Sequence, residues 1–163
     1  MKKMLVVYYS WSNGNTKRIA EQLTNGTGAD IARIETTEPY SGSHEDVVEQ
    51  GKREVEAGFM PRINPISVNL ADYDVIAIGT PTWWYTMAPA VLTFLTVNDF
   101  TGKTVIPFMT ADNGHDIIKI LSDAGIKASV IGRTTADHNK ILRNDDEVRY
   151  LDTPNRDEVY RFI

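Results

Sequence analysis

Six consecutive apolar residues near the start of the chain, Met4–Tyr9 (MLVVYY), constrain the fold most strongly. A strand with one face in water alternates apolar and polar residues, whereas a strand covered by helices on both faces is apolar throughout. Two further strands are predicted at Asp74–Gly79 and Thr104–Thr110. The pattern therefore predicts a parallel sheet that is buried on both sides, with Met4–Tyr9 as a central strand.

Predicted helices alternate with these strands along the chain. The remaining strand predictions are Asp30–Glu35 and a short segment near 128–132. The helix predictions, read from apolar periodicity and capping residues, are about 14–26, Glu45–Ala57 with Ser43 as its cap, Ala90–Leu95, 114–124 and 154–163. Alternation of this kind predicts right-handed crossovers and a doubly wound α/β sheet.

Length and composition limit the class of protein. At 163 residues the chain suits one domain, 1–163, with an insertion or irregular segment at about 134–152. Because it has no cysteine, disulfides, thiolate metal sites, iron–sulfur clusters and cysteine nucleophiles are excluded. Any redox chemistry must then come from a bound cofactor.

Charge and hydropathy predict location and partners. The formal net charge of −5 disfavours binding to nucleic acid, which requires clustered Lys and Arg. The longest apolar run is too short for a membrane span or a signal peptide. We therefore expect a cytoplasmic protein with no membrane insertion. No metal is predicted, since the spacing of His44, His115 and His138 fits no common ligand pattern.

In a doubly wound sheet, ligands bind beyond the carboxyl ends of the strands. The first such loop is Ser10–Thr16 (SWSNGNT). If a helix begins near Asn13, its free N–H groups and the nearby hydroxyls would converge on a phosphate, and Gly14 would let the backbone approach it. The lone glycine fits neither a Walker A loop nor a dinucleotide fingerprint, so a mononucleotide or isolated phosphate is favoured. The alternative is that Ser12 or Asn13 simply caps the helix.

Two more strand ends carry candidate loops. In Gly79–Pro89 (GTPTWWYTMAP), Trp83 and Trp84 would suit stacking on a planar heterocycle, or else would pack on a neighbouring helix or at a dimer contact. The third loop, Thr110–Asp116 (TADNGHD), has backbone amides that would suit the edge of a ligand ring, although an ordinary loop is the alternative.

The chain resembles the flavodoxin family in three segments, namely YYSWSNGNTKRIAEQL, YDVIAIGTPTWWYTMAPAVLTFL and KTVIPFMTADNG. They are similar to the three flavin-binding loops, especially those of bacterial flavodoxins with a proline and paired tryptophans in the second loop. The resemblance runs from Met4 to Gly132, and the chain departs from the family pattern after that point. It implies a five-stranded parallel sheet in the order 2-1-3-4-5, with FMN as the cofactor.

The resemblance also implies which residues contact FMN. The phosphate would be held by Ser10, Ser12, Asn13, Gly14, Asn15 and Thr16. The isoalloxazine ring and ribityl chain would be lined by Pro81, Thr82, Trp83 and Trp84. The pyrimidine side would be lined by Thr110, Ala111, Asp112, Asn113 and Gly114.

The implied function is that of a low-potential electron carrier between a reductase and an acceptor protein, with no catalytic side chain of its own. Aromatic stacking and an acidic chain both disfavour a negatively charged reduced flavin. A monomer is expected for a carrier. An FMN-dependent NAD(P)H:quinone-type reductase is the alternative, and a dimer would suit its second substrate site. A receiver-type signalling domain is disfavoured, because Gly79, Thr80 and Pro81 stand where an acceptor aspartate is needed.

Overall fold

The computed structural model describes residues 2–110, 140–144 and 147–151. The chain divides into two compact units, Met1–Ala111 and Asp112–Ile163. The organisation of residues 1–163 as a single domain stays a prediction. None of the helices within the described ranges is long and apolar enough to cross a membrane.

The first unit is built from five strands and three α-helices. Its strands are β1 (Met4–Tyr8), β2 (Asp30–Arg33), β3 (Val75–Trp83), β4 (Thr86–Met87) and β5 (Thr104–Thr110). Its α-helices are α1 (Asn15–Thr27), α2 (His44–Glu56) and α3 (Pro89–Val97), and a short 3-10 turn spans Leu70–Asp72.

Four of these strands form a parallel sheet in the order β2-β1-β3-β5, while the short β4 pairs with the end of β3 in an antiparallel hairpin. The predicted doubly wound sheet is therefore confirmed. The further parallel strand that we expected near 128–132 and the helices expected at 114–124 and 154–163 lie outside the described residues.

The central strand β1 is covered on both faces, as its apolar sequence predicts. Val6 and Tyr8 pack in one buried cluster with Ala20 of α1. Leu5 and Val7, which point to the other face, pack in a second buried cluster with residues of α3. Pairing with β2 on one side and β3 on the other places the carboxyl end of β1 within the sheet.

The main departure from the predicted elements is at β3, which we expected to end at Gly79 and which continues to Trp83. The reason is the hairpin, since pairing with β4 extends the strand through the second loop. The strand predicted at Thr104–Thr110 has those bounds in the structure. The second unit contains an antiparallel hairpin of β6 (Lys140–Asn144) and β7 (Glu147–Leu151), within the predicted insertion.

The predicted cap of α2 is confirmed. Ser43 accepts a hydrogen bond from the backbone N–H of Asp46 at 3.2 Å, and the Asp46 carboxylate accepts one from the N–H of Ser43 at 2.9 Å. Together they form a capping box, which satisfies two of the free donors at the helix start.

The capping box predicts a pH dependence of stability. Hydrogen bonds from the Ser43 hydroxyl and backbone hold the pKa of Asp46 below its ordinary value. The stabilisation by the Asp46 carboxylate should therefore be present above its unfolded pKa of about 4 and be lost as the pH falls through the lower folded value. In urea denaturation, Asp46→Asn should lower the free energy of unfolding at pH 7, and the difference from the wild type should shrink below about pH 4. Glu45→Gln, which makes none of these bonds, is the control, and an equal loss in both variants would contradict the assignment.

A second prediction concerns two helical glycines. A Cβ added to Gly51 of α2 would lie 2.9 Å from Cε3 of Trp83, whereas a Cβ at Gly26 of α1 would meet nothing within 4 Å. Replacing a helical glycine by alanine in open space stabilises a protein by roughly 0.5–1 kcal/mol. We expect that gain for Gly26→Ala and a net loss for Gly51→Ala, both measured by urea denaturation. A stabilised Gly51→Ala protein would show that Trp83 can move away from α2.

Candidate functional site

The carboxyl ends of β1, β3 and β5 lie side by side, and one residue links the loops that follow them. Pro81 of β3 is in register with Thr110 of β5. The hydroxyl oxygens of Thr16 and Thr110 are 2.8 Å apart, and the Thr82 hydroxyl donates to the Thr110 carbonyl at 3.1 Å. Thr110, the first residue of the third predicted ligand loop, is therefore joined by hydrogen bonds to one residue of each of the other two loops.

The first loop ends in a helix start with no side-chain cap. The residue before α1 is Gly14, in the left-handed conformation with φ 70°, and no described side chain caps the helix start. Among the described residues, the backbone N–H groups of Asn15 and Thr16 have no acceptor. The alternative in which Ser12 or Asn13 caps this helix is therefore not observed, and the amides are available to an anion.

The polar side chains of the first loop lie at different depths. Thr16 is 1% exposed and Ser10 is 7% exposed, whereas Ser12 and Asn13 lie at the surface. Among the atoms of the described residues, a Cβ at Gly14 would meet nothing within 4 Å, so these residues leave open space beside Gly14. The donors are neutral and the space is open, which fits a phosphate group.

A cation near this loop was missed by the sequence analysis. The Arg33 guanidinium donates to the Ser10 carbonyl at 3.3 Å and also forms an ion pair with Glu35 at 3.6 Å. Arg33 is in register with Tyr8, so it lies at the same sheet edge as the first loop. A basic residue at the end of the strand next to β1 is the sequence signal that would have found it. Lys17, by contrast, pairs with Glu21 on the exposed surface of α1.

The second loop is a tight β-hairpin. Trp83 pairs with Thr86, which leaves Trp84 and Tyr85 as the two central residues of the turn. Both have positive φ values, 47° and 65°. At the base of the loop, the Thr80 hydroxyl accepts from the Ala88 N–H at 3.0 Å. The loop is thus closed at both ends by hydrogen bonds.

The three aromatic side chains of this hairpin have different surroundings. Trp83 packs edge-on against Tyr9, Trp11 and Tyr40 and also contacts α2 at Gly51. Trp84 is 42% exposed, and its indole N–H donates to the Val48 carbonyl of α2 at 3.0 Å. Tyr85 is 66% exposed. Packing on a neighbouring helix, the alternative given above for the tryptophans, is therefore observed, and Tyr85 is an exposed ring that we did not single out.

The aromatic cluster around Trp83 carries no charge at neutral pH. Burial raises the pKa of Tyr9 well above the ordinary value for tyrosine. Burial, with the hydrogen bond that the Tyr40 hydroxyl donates to Glu54, also raises the pKa of Tyr40. Both phenols therefore stay protonated beside the second loop.

Backbone strain is concentrated in these loops. Within the described ranges, the residues other than glycine with positive φ are Ser12, Trp84 and Tyr85. Such conformations each cost of order 1–3 kcal/mol and cluster where ligands are held. Backbone conformation as well as composition therefore indicates a ligand site at the first and second loops.

Part of the predicted site falls outside the described residues. These predictions are Ala111, Asp112, Asn113 and Gly114 of the third loop. His115 and His138, for which no metal site is predicted, also lie outside the described residues. In the portion that the structure does describe, no group of three or more potential metal ligands is found.

A doubly wound sheet with an uncapped helix start and an aromatic loop at its carboxyl edge defines a class of α/β proteins that bind phosphate-containing ligands. The family model described as flavodoxin matches residues 3–142. The chain belongs to the flavodoxin family, which confirms the resemblance.

Three known proteins are informative. A NAD(P)H dehydrogenase (quinone) 3 of Rhizobium meliloti is 33% identical over an alignment of 129 residues, and the match covers 71% of this chain but only 56% of that protein. A structure assigned as a flavoprotein from Bacteroides eggerthii is 28% identical, with a TM-score of 0.63, and the match covers 78% of this chain and 84% of that one. A flavoprotein from Lactobacillus acidophilus in complex with FMN has a TM-score of 0.64 at 24% identity, covering 78% and 89% of the two chains. This last similarity is one of fold.

The link through Thr110 can be tested by a double-mutant cycle. Thr16→Val and Thr110→Val each remove one hydroxyl, and each leaves the other without its partner, at an expected cost of roughly 1–2 kcal/mol. Because both changes break the same bond, the double variant should be about 1 kcal/mol more stable than the sum of the two losses predicts. Urea denaturation of the four proteins measures the coupling. Strict additivity would show that the two hydroxyls do not interact.

Proposed function

We propose that this chain binds FMN at its three strand-end loops and acts as a low-potential electron carrier between redox proteins. The observation that carries the proposal is the uncapped start of α1, joined through Thr16 and Thr110 to the other two loops. Membership of the flavodoxin family supports FMN as the cofactor, since FMN is the ligand that the resemblance implies for these three loops.

Among the described residues, those of the first and second loops would contact the phosphate, the ribityl chain and the ring of FMN. Ser10, Ser12 and the amides at the start of α1 would hold the phosphate with neutral donors. Pro81, Thr82 and the aromatic hairpin would line the ribityl chain and the ring. The single glycine, Gly14, suits one phosphate group better than a pyrophosphate.

Bound FMN would supply electron-transfer chemistry, so the task of the chain is to bind it, orient it and set its potential. The neighbouring Tyr9 and Tyr40 stay neutral, and the formal charge of the chain is −5. A negative protein potential opposes the addition of negative charge to the ring. The chain should therefore lower the reduction potential of FMN.

One observation favours a second candidate function. The relative from Rhizobium meliloti, at 33% identity, is a NAD(P)H dehydrogenase (quinone). An FMN-dependent NAD(P)H:quinone reductase is therefore the alternative, and it would need room for a second substrate beside the ring. Because the match covers 56% of that protein, the carrier remains our first proposal.

The first test is a titration of the purified protein with FMN, followed by flavin absorbance and fluorescence, with and without NADH or NADPH. The carrier predicts FMN binding, reduction by dithionite at a potential below that of free FMN, and no oxidation of NAD(P)H. Direct reduction of the bound flavin by NAD(P)H, with turnover of a benzoquinone, would contradict the carrier function and support the reductase. Failure to bind FMN would overturn both.

Two glycines at opposite ends of α1 provide matched variants. Gly14 and Gly28 have φ values of 70° and 69°, and a Cβ at either would meet no atom of the described residues within 4 Å. Alanine should cost a similar amount of stability at both, about 1 kcal/mol, because the left-handed conformation is strained for it. Only Gly14→Ala places a methyl group in front of the proposed phosphate. We expect its Kd for FMN to rise about tenfold or more, equivalent to about 1.4 kcal/mol, with little change for Gly28→Ala. Equal Kd values for the two variants would contradict a phosphate site in front of Gly14.

A further inference from the structure

The tip of the second loop adopts a turn that its sequence does not favour. Two-residue hairpins with positive φ at both central residues normally contain Asn or Gly at these positions. Here the residues are Trp84 and Tyr85, with φ values of 47° and 65°. The hairpin ladder has only two residue pairs, Thr82 with Met87 and Trp83 with Thr86. Contacts outside the hairpin must therefore stabilise this turn.

Helix α2 provides such contacts from one face. Its Val48 carbonyl accepts from the Trp84 indole N–H at 3.0 Å, and the Lys52 ammonium lies 5.1 Å from the centroid of the Trp84 ring. Gly51 allows the Trp83 ring to approach, because a Cβ there would lie 2.9 Å from it. Positions 48, 51 and 52 are spaced i, i+3 and i+4, so they share one helix face. The two tryptophans therefore tie the hairpin to α2.

Tyr85 has no comparable contact. Its side chain is 66% exposed, and within the described ranges its hydroxyl makes no hydrogen bond and its ring no aromatic pair. The positive φ of a bulky side chain is a strained state that persists when the surrounding structure imposes it, and ligand clamps are where such strain is found. The strain at Tyr85 is thus imposed by the anchoring of its neighbour.

We infer that Trp84 is a positioning residue that anchors the hairpin to α2, and that Tyr85 is the aromatic side chain that this loop presents to the flavin ring. The inference rests on the proposed function and changes one assignment within it. Trp84 positions the hairpin, and Tyr85 is the side chain that contacts the flavin ring. Its tests include measurements that do not require the cofactor.

The role of Tyr85 is tested with two substitutions. Tyr85→Asn keeps a residue that accepts a positive φ but loses the ring, whereas Tyr85→Phe keeps the ring and loses the hydroxyl. The Kd for FMN should rise about 5- to 100-fold in Tyr85→Asn, the range expected for loss of one stacked ring, while the melting temperature of the protein without FMN stays equal or increases. Tyr85→Phe should keep the wild-type affinity and the wild-type quenching of flavin fluorescence. Unchanged affinity and quenching in Tyr85→Asn would overturn the assignment.

The anchoring role of Trp84 is tested without FMN. Trp84→Phe keeps an aromatic ring but removes the indole donor to Val48. Hydrogen exchange at the amides of residues 82–87 should be faster in this variant, while exchange in β1 is unchanged. With FMN present, its Kd should rise and the quenching of flavin fluorescence should fall. Unchanged exchange would overturn the anchoring role. If the wild type binds no FMN, the proposed function and the role of Tyr85 fail, and the exchange result still decides whether Trp84 anchors the hairpin.

Discussion

The pair of hydroxyls on Thr16 and Thr110 is the interaction on which the site depends. Thr16 lies in the first turn of α1 and is 1% exposed, and Thr110 is the last residue of β5. Their hydrogen bond spans 94 positions of sequence and sets the start of the helix against the end of a distant strand. Since Thr82 also binds the Thr110 carbonyl, the second loop takes its position from the same residue.

Backbone strain and regular packing occupy different parts of the structure around the Thr16–Thr110 pair. The sheet itself is regular, with residues 5–8 of β1 buried between two clusters, and the strained residues lie in the loops beyond it. The second loop is held from outside the sheet, by α2. The role of α2 is therefore to fix a loop as well as to cover the sheet, and Gly51 is required there because of the Trp83 ring.

The sequence was sufficient for features that depend on local patterns. The apolar run at Met4–Tyr9 predicted a strand buried on both faces, and Ser43 was recognised as a cap three residues before Asp46. The hairpin after β3 could not be predicted, because Trp-Tyr is not a turn sequence and the turn depends on contacts with α2. The contact of Arg33 with the first loop was missed because it depends on strand register, which hydrophobic periodicity does not determine. The contacts of both tryptophans with α2 likewise depend on tertiary packing.

The uncapped start of α1 has a consequence for the life of the protein in the cell. A helix normally receives its terminal hydrogen bonds from its own chain, and here the first turn leaves them open to a bound anion. A phosphate in that position would act as the missing cap, so cofactor occupancy and folding would be thermodynamically linked. Chains made faster than cofactor is supplied would have a larger unfolded fraction and be degraded sooner. The abundance of the protein would then follow the supply of its ligand without any dedicated regulator.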